Sequence, residues 1–172
     1  MSKINVCVVS GDISRVKSDA LITTINSGGM WFGGIDGVIQ RAAGNLFHSQ
    51  AAKALPLIDG QTIIAHNNDH AHDGAFTNVV FVVDDLIQTL ADIIFEGLAA
   101  ADRAGFTTVT LPTIRMGVML GVVEKSAEEA VVAMKVGVRN FVKRNPTSIR
   151  NITFVVYNDP KILSLIQGNF SE

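Results

Sequence analysis

Asp36 is the side chain best placed to do chemistry. It stands at the entry of an amphipathic stretch, with Val38, Ile39 and Ala42 at helical spacing, directly behind a glycine-rich turn that includes Gly33 and Gly34. Glycine lets a backbone bend sharply and lets a ligand approach closely. The first turn of a helix directs free N–H groups outward at the positive end of its dipole, which suits a phosphate or another anion. A carboxylate beside such a site repels the same anion. Asp36 is therefore easier to explain if it acts on a neutral part of the ligand, as a hydrogen-bond acceptor or as a base. The plainer alternative is an ordinary helix start, with Gly33 and Gly34 making the turn.

Other polar residues follow predicted strands. Asp12 comes after Ile4–Val9 and can cap a turn or accept from a ligand amino group. Asn26 comes after Ala20–Ile25 and can serve as a turn residue or hold a sugar hydroxyl. A second glycine-containing loop, Pro112–Val122, follows the predicted strand Thr107–Leu111, and Tyr157-Asn158 close Ile152–Tyr157. Trp31 and Phe32 precede the first turn as a core plug, a mobile lid or a stacking surface. His66, His70 and His72 lie in a polar run rich in Asn and Asp, whose spacing matches no common zinc pattern and reads as a solvated loop. Cys7, the single cysteine, sits in an apolar run and is expected to be a buried, inert thiol.

These residues need a frame, and the chain alternates strands with helices through most of its length. Val79–Val83 is the most apolar strand and is expected at the sheet's centre. Asp84 and Asp85 close it and favour the start of a helix over Leu86–Ala104, whose Leu86, Leu90, Ile93, Ile94, Leu98 and Ala101 share one face. Gln61–Ala65 is a further strand, and a short helix is expected over His48–Leu57. Ser126 and Glu129 form a capping box for a helix reaching about Lys143. Asp159-Pro160 starts a terminal helix. The pattern predicts one domain over residues 1–172: a three-layer α/β/α sandwich with a mixed, largely parallel central sheet. In such folds ligands gather beyond the carboxyl ends of the strands, so Asp12, Asn26, the Gly33–Asp36 turn, the 112–121 loop and Tyr157-Asn158 can share one rim.

Composition narrows the partners. With 172 residues, 48% hydrophobic and only 17% charged, the chain can bury a substantial core. Its net charge of −2 offers no electrostatic footprint for nucleic acid or a membrane surface, so any anion site must be local. No run is long and apolar enough to span a bilayer, and the N-terminal apolar run is too short for a secretory signal. A soluble cytoplasmic protein is the expectation; the sequence does not fix an oligomeric state.

The motifs together resemble the macro domain, an ADP-ribose-binding module. Gly11–Ile13 (GDI), Asp19–Asn26 (DALITTIN), Gly33–Gly44 (GGIDGVIQRAAG) and Leu111–Val118 (LPTIRMGV) occur in the family's order and approximate spacing, and the similarity extends through Phe154–Pro160. The resemblance implies ADP-ribose or an ADP-ribosylated substrate as ligand; nothing read from the residues calls for a metal or a cofactor. Asp12 would accept from the adenine amino group beside the Ile13 backbone. Tyr157 would pack near the adenine and Asn158 near the adjoining ribose. The backbone of Arg115, Met116, Gly117, Val118 and Met119 would cradle the diphosphate, together with the Gly33-Gly34 turn before Ile35. Asn26 and Asp36 would face the distal ribose, where an acid orients or activates water at the anomeric carbon in hydrolytic members. The implied activity is hydrolysis of an ADP-ribose ester, as a mono-ADP-ribosyl hydrolase or an O-acetyl-ADP-ribose deacetylase. The alternatives are a non-catalytic ADP-ribose reader and a divergent fold binding another nucleotide.

The chain also departs from the family pattern. Met30-Trp31-Phe32 intrude before the first turn, and Gln40 stands where many hydrolytic members carry a histidine. Arg115-Met116 replace the usual Ser or Gly followed by Thr, and Met119 stands where an aromatic residue is usual. The central strand ends in Asp84-Asp85 in place of a His-Thr-Val-Gly-Pro-like run. Arg115 is expected either to contact the diphosphate directly or to point to solvent.

Overall fold

The computed structural model describes residues 3–30, 34–116 and 120–170. Its centre is a six-stranded sheet in the order β1-β6-β5-β2-β4-β3. The strands are β1 (Asn5–Ser10), β2 (Ser18–Ile25), β3 (Thr62–Ala65), β4 (Phe76–Val83), β5 (Thr108–Leu111) and β6 (Asn151–Val156). All neighbouring pairs are parallel except β3 with β4. The sheet is therefore mixed and largely parallel, and helices cover it from two sides as the alternating pattern predicts.

Strand β2 shows why two helical layers are required. Ala20 and Ile22 enter one core with Val80 and Val82 of β4, whereas Leu21 and Ile25 enter a second core with Val79, Phe81 and Val83. Adjacent residues of a strand point to opposite faces, so a strand apolar at every position must be covered on both. One cover consists of α3 (Leu90–Arg103), α4 (Ala127–Lys143) and α5 (Pro160–Phe170). The other consists of α1 (Gly34–Ala43) and α2 (His48–Lys53), with Ile39, Phe47 and Ala51 at its centre. Helices α3 and α4 meet closely at Gly137, where an added Cβ would stand 2.6 Å from the Ala91 carbonyl oxygen.

Four expectations change. Strand β4 is not central; β2 and β5 hold the middle and β4 lies next to the edge. Its apolar character comes from burial on both faces, which being next to the edge does not prevent. Strand β1 is an edge strand whose Val6 and Val8 pack inward while Asn5, Cys7 and Val9 are exposed. Cys7 is accordingly an exposed thiol, because the α1–α2 layer does not reach that face of β1. The helix expected from Leu86 begins at Leu90, behind a Thr89 cap whose hydroxyl accepts from the Asp92 N–H at 3.2 Å. Leu86 adopts φ +62°, which no right-handed helix accommodates. Helix α2 also ends at Lys53, earlier than expected.

The amino edge of the sheet is tied by single carboxylates. Asp19 accepts from the Thr107 N–H (2.8 Å), the Thr107 hydroxyl (2.8 Å) and the Thr108 N–H (3.3 Å). Asp102 accepts from the N–H groups of Ser148 (2.7 Å), Ile149 (2.9 Å) and Thr147 (3.2 Å). In both, burial pushes the carboxyl pKa up but the bonds outweigh it and hold it below its ordinary value. The N-cap half of the expected capping box is present, since the Ser126 hydroxyl accepts from the Glu129 N–H at 3.1 Å. The return bond from Glu129 goes to the Lys125 N–H, one residue earlier than the usual box.

Candidate functional site

Parallel pairing sends the ends of β1, β6, β5, β2 and β4 to one edge. Asp12, Asn26 and Tyr157-Asn158 stand at these ends, Arg115 lies in the loop that leaves β5, and Asp36 lies in the first turn of α1, which the β2 connection enters. The two glycine-bearing bends leave β2 and β5, which are neighbours in the sheet. Gly33, Gly117, Val118 and Met119, with Trp31 and Phe32, lie outside the described residues.

The first bend is organised by Asn26. Its Oδ1 accepts from the N–H groups of Gly28 (2.9 Å) and Met30 (3.0 Å), and its own N–H donates to the Met30 carbonyl at 2.7 Å. Asn26 is thus a turn residue, with Nδ2 unpartnered among the described residues. Gly29 adopts φ +78° against the Leu55 side chain, a position suited to glycine. In α1, Asp36 is half-buried and its Oδ1 accepts from the Gly37 N–H at 2.6 Å, which orients the carboxylate. Ile35 packs into the α1-side core, so only its backbone can serve a ligand. Gln40, one turn further on, is exposed.

Asp12 caps a short 3-10 turn, Ile13–Arg15. Its Oδ1 accepts from the Ser14 hydroxyl (2.7 Å) and the Ser14 N–H (2.9 Å), and Oδ2 lies 3.8 Å from the Arg15 Nε. Those Ser14 bonds, then the charges of Arg15 and Arg41, hold its pKa below the usual carboxylate value against slight burial. Ile13 is buried beneath α1. Across the end of β6, Tyr157 is 75% exposed and Asn158 adopts φ +48°. An exposed ring at the end of a buried strand is open to stacking by a flat ligand.

Arg115 departs from both expectations. Its guanidinium neither reaches toward a diphosphate nor points to solvent; its side chain is 3% exposed. Nε donates to Asp84 Oδ2 at 3.0 Å and Nη2 to Asp84 Oδ1 at 2.7 Å, a bidentate pair. Nη1 donates to Glu124 Oε1 at 2.9 Å, and Nη2 also to the Gln88 carbonyl at 2.8 Å. Burial alone would lower the pKa of Arg115, but the bonds and charges of Asp84 and Glu124 raise it above its ordinary value. The physical reason for the inward course is this pair of carboxylates: a planar fork meets two acids in a dry site. Met116 follows the same course and packs toward the α3–α4 core.

The acids themselves escaped the sequence reading of the site. Asp84 also accepts from the Leu86 N–H at 2.9 Å, which supports that residue's left-handed backbone. Glu124 Oε2 accepts from the Leu90 N–H at 3.0 Å, at the start of α3. Asp85 Oδ1 accepts from the Ser27 N–H at 2.8 Å, inside the first bend, and Asp59 Oδ1 accepts from the Asp85 N–H at 2.9 Å. A usable signal was present: Asp84, Arg115 and Glu124 each follow an apolar residue directly, in Val83-Asp84, Ile114-Arg115 and Val123-Glu124. Charges embedded in apolar stretches tend to pair when buried.

Among the described residues no three His, Cys, Asp or Glu side chains gather to hold a metal ion. His72 is used structurally; its Nδ1 accepts from the Gly74 N–H at 3.1 Å and its ring packs on Phe47 and Phe76. No helix among the described residues is long and apolar enough to cross a membrane.

A mostly parallel sheet between helical layers, with polar bends collected at its carboxyl edge, places the chain among α/β sandwich domains that bind ligands outside the strand ends. Comparison with known proteins narrows the class. No family model matches the chain. An O-acetyl-ADP-ribose deacetylase of Enterobacter sp. (strain 638) is 30% identical over 161 residues, 88% of this chain and 86% of that protein. A macro domain-containing protein of Streptomyces coelicolor is 29% identical over 164 residues, 89% of this chain and 91% of that protein. The crystal structure of the Trypanosoma brucei macrodomain in complex with ADP superposes with a TM-score of 0.80 at 16% identity, covering 96% of this chain and 68% of that one. The chain belongs to the macro domain family.

Proposed function

We propose that this chain binds ADP-ribose or a close derivative along the carboxyl edge of its sheet and hydrolyses an ADP-ribose ester. The observation that carries the reading is the departure of both glycine-bearing bends from the adjacent parallel strands β2 and β5, at the edge where ligands of such folds collect. In this reading Asp12 and the Ile13 backbone take the adenine, Tyr157 packs near it and Asn158 lies beside the first ribose. The Gly33-Gly34 turn with Ile35 and the backbone of Arg115–Met119 receive the diphosphate, and Asn26 offers Nδ2 to the distal ribose.

Asp36 is then the general base. Water attacks the anomeric carbon, its O–C bond forms as the C–O bond to the acyl group breaks, and the acid leaves as a carboxylate. Asp36 takes the proton from the water and returns it to solvent. Positive charge developing on the sugar in the transition state is stabilised by the same carboxylate. The names of the deacetylase relatives favour hydrolysis of an ADP-ribose ester, and an ester carried on the anomeric oxygen, of a protein carboxylate or a small acid, would be the substrate of this step.

Titration calorimetry with ADP-ribose and release of ADP-ribose from an ester-linked substrate test both halves. Micromolar binding by the wild type is expected, with Asp36→Ala retaining binding while hydrolysis falls about 100-fold or more, the usual worth of a positioned base. Asp36→Ala turning over at the wild-type rate overturns the mechanism. No heat and no thermal shift at millimolar ADP-ribose overturn the binding reading as well. The exposed Gln40 favours the second reading, a module that binds ADP-ribose without turning it over; binding with no release from any ester selects it.

A further inference from the structure

We infer that Arg115 is a positioning residue that, through Asp84 and Glu124, fixes the spacing of the two bends that receive the diphosphate. The inference rests on the ligand reading given above and adds a determinant to it.

β2 lies between β5 and β4 in the sheet, so Arg115, beyond β5, meets Asp84, beyond β4, across the end of the strand from which the first bend leaves. Asp84 is fixed in turn, its N–H donating to the Ile25 carbonyl at 2.7 Å at the last residue of β2. The next residue, Asp85, holds the first bend through the Ser27 N–H. One dipeptide thus grips both bends, the second through Asp84 and the first through Asp85.

The second bend is closed at its base by the same guanidinium. Arg115 enters the loop and Glu124 leaves it, and their 2.9 Å bond ties entry to exit. Glu124 also holds Gly121, whose N–H donates to the Glu124 carbonyl at 3.0 Å. Arg115 itself adopts φ +64°, a left-handed region that a non-glycine residue enters only at a cost. That backbone conformation is the one from which its side chain turns inward to the two acids.

The chemistry excludes a direct electrostatic role. One guanidinium between two carboxylates leaves the cluster a net negative charge, so it does not draw an anion. Its effect on a diphosphate must come through geometry, by presenting backbone N–H groups of two loops at a fixed separation. A small misplacement of such donors is enough to lose most of their value.

The test is a ligand series on variants that keep the cluster partly paired. Asp84→Asn leaves the Arg115–Glu124 pair intact, and Arg115→Lys keeps the charge but cannot bridge both acids as a fork. AMP, ADP and ADP-ribose are titrated into each by calorimetry. Both variants are expected to lose at least tenfold in affinity for ADP and ADP-ribose while AMP stays within twofold of wild type. Uniform loss across the three ligands, or wild-type affinity for all, overturns the positioning role. Failure of the wild type to bind any of them overturns the ligand reading, and this role with it. Should neither variant fold, hydrogen exchange in the wild type decides. ADP-ribose, and not AMP, is expected to slow exchange at both Ser27 and Leu90, the amides held by Asp85 and Glu124; an unchanged Leu90 overturns the role.

Discussion

His48 makes the fold sensitive to mild acid, and the size of the effect follows from its surroundings. It lies in α2, 6% exposed, with its ring 4.7 Å from that of Phe81 in a T-shaped contact. Burial pushes its pKa down from the ordinary 6.5 to about 3. The folded protein therefore keeps the imidazole neutral where the unfolded chain takes up a proton. Below pH 6.5 the unfolded state binds more protons, so stability falls with falling pH, by about 1.4 kcal/mol per pH unit until the folded value is reached. Between pH 7 and pH 5 this group alone removes about 2 kcal/mol. The carboxylates with lowered pKa values, Asp12, Asp19 and Asp102, start from 3.8 and do not contribute in that window. Urea unfolding at pH 7, 6 and 5 reads the difference, and His48→Leu removes the titrating group while keeping an apolar volume. The wild-type midpoint is expected to fall by about 1 M more than that of the variant, taking an m-value of roughly 2 kcal/mol per M. Equal losses in the two proteins would refute the argument that a neutral buried imidazole sets the acid sensitivity.

Two further outcomes follow from close contacts. In Gly137→Ala the new methyl would meet the Ala91 carbonyl oxygen at 2.6 Å and Ile94 Cβ at 2.9 Å, so α3 and α4 must separate. The expected loss is about 1–3 kcal/mol despite alanine's better helix propensity, read as a lower urea midpoint. In Asp102→Ala the N–H groups of Thr147, Ser148 and Ile149 lose their acceptor, at a cost of roughly 1–3 kcal/mol at pH 7. Because the folded pKa of Asp102 lies below its ordinary value, this stabilisation is present above pH 3.8 and is lost as the pH falls through the folded value. The gap between wild type and Asp102→Ala is therefore expected to narrow in that acid range, as chemical denaturation across pH measures.

Local signals carried most of the fold. The order of strands and helices, the Ser126 cap and the terminal helix at Pro160 all rest on a few neighbouring residues, and the structure has them. What the sequence concealed is set by distant partners. Whether a strand is central depends on what lies beside it, so β4 could not be told from a middle strand by its own apolar run. The inner and outer faces of β1 carry Val6 and Val8 on one side and Cys7 and Val9 on the other, which reads as covered on both although only one is. In the site, the positions after the strands were legible because topology alone sends them to one edge. The partners of Arg115 were not, since Asp84 lies 31 residues earlier and nothing local distinguishes a guanidinium that folds inward from one that faces solvent.

Stability by itself does not account for the Arg115 cluster. Two carboxylates and a guanidinium taken out of water lose hydration that their mutual attraction only partly returns, and an apolar group of similar shape is often no worse. The left-handed backbone at Arg115 adds to that cost. An apolar replacement of Arg115 would fill the space, yet it would leave Asp84 and Glu124 buried without their guanidinium and would tie neither end of the second loop to β4. What the cluster supplies is direction: the fork has one arrangement in which it meets Asp84, Glu124 and the Gln88 carbonyl together. Arg115 and Asp84 are also two of the departures expected from the resemblance to the family, and they are bonded to each other. They are then better read as one linked change than as two losses, with a side-chain clamp setting the loop geometry. The consequence is directional: Asp84→Asn and Arg115→Lys, combined, should cost diphosphate affinity little more than either alone, whereas additive losses would mean that each acts on its own.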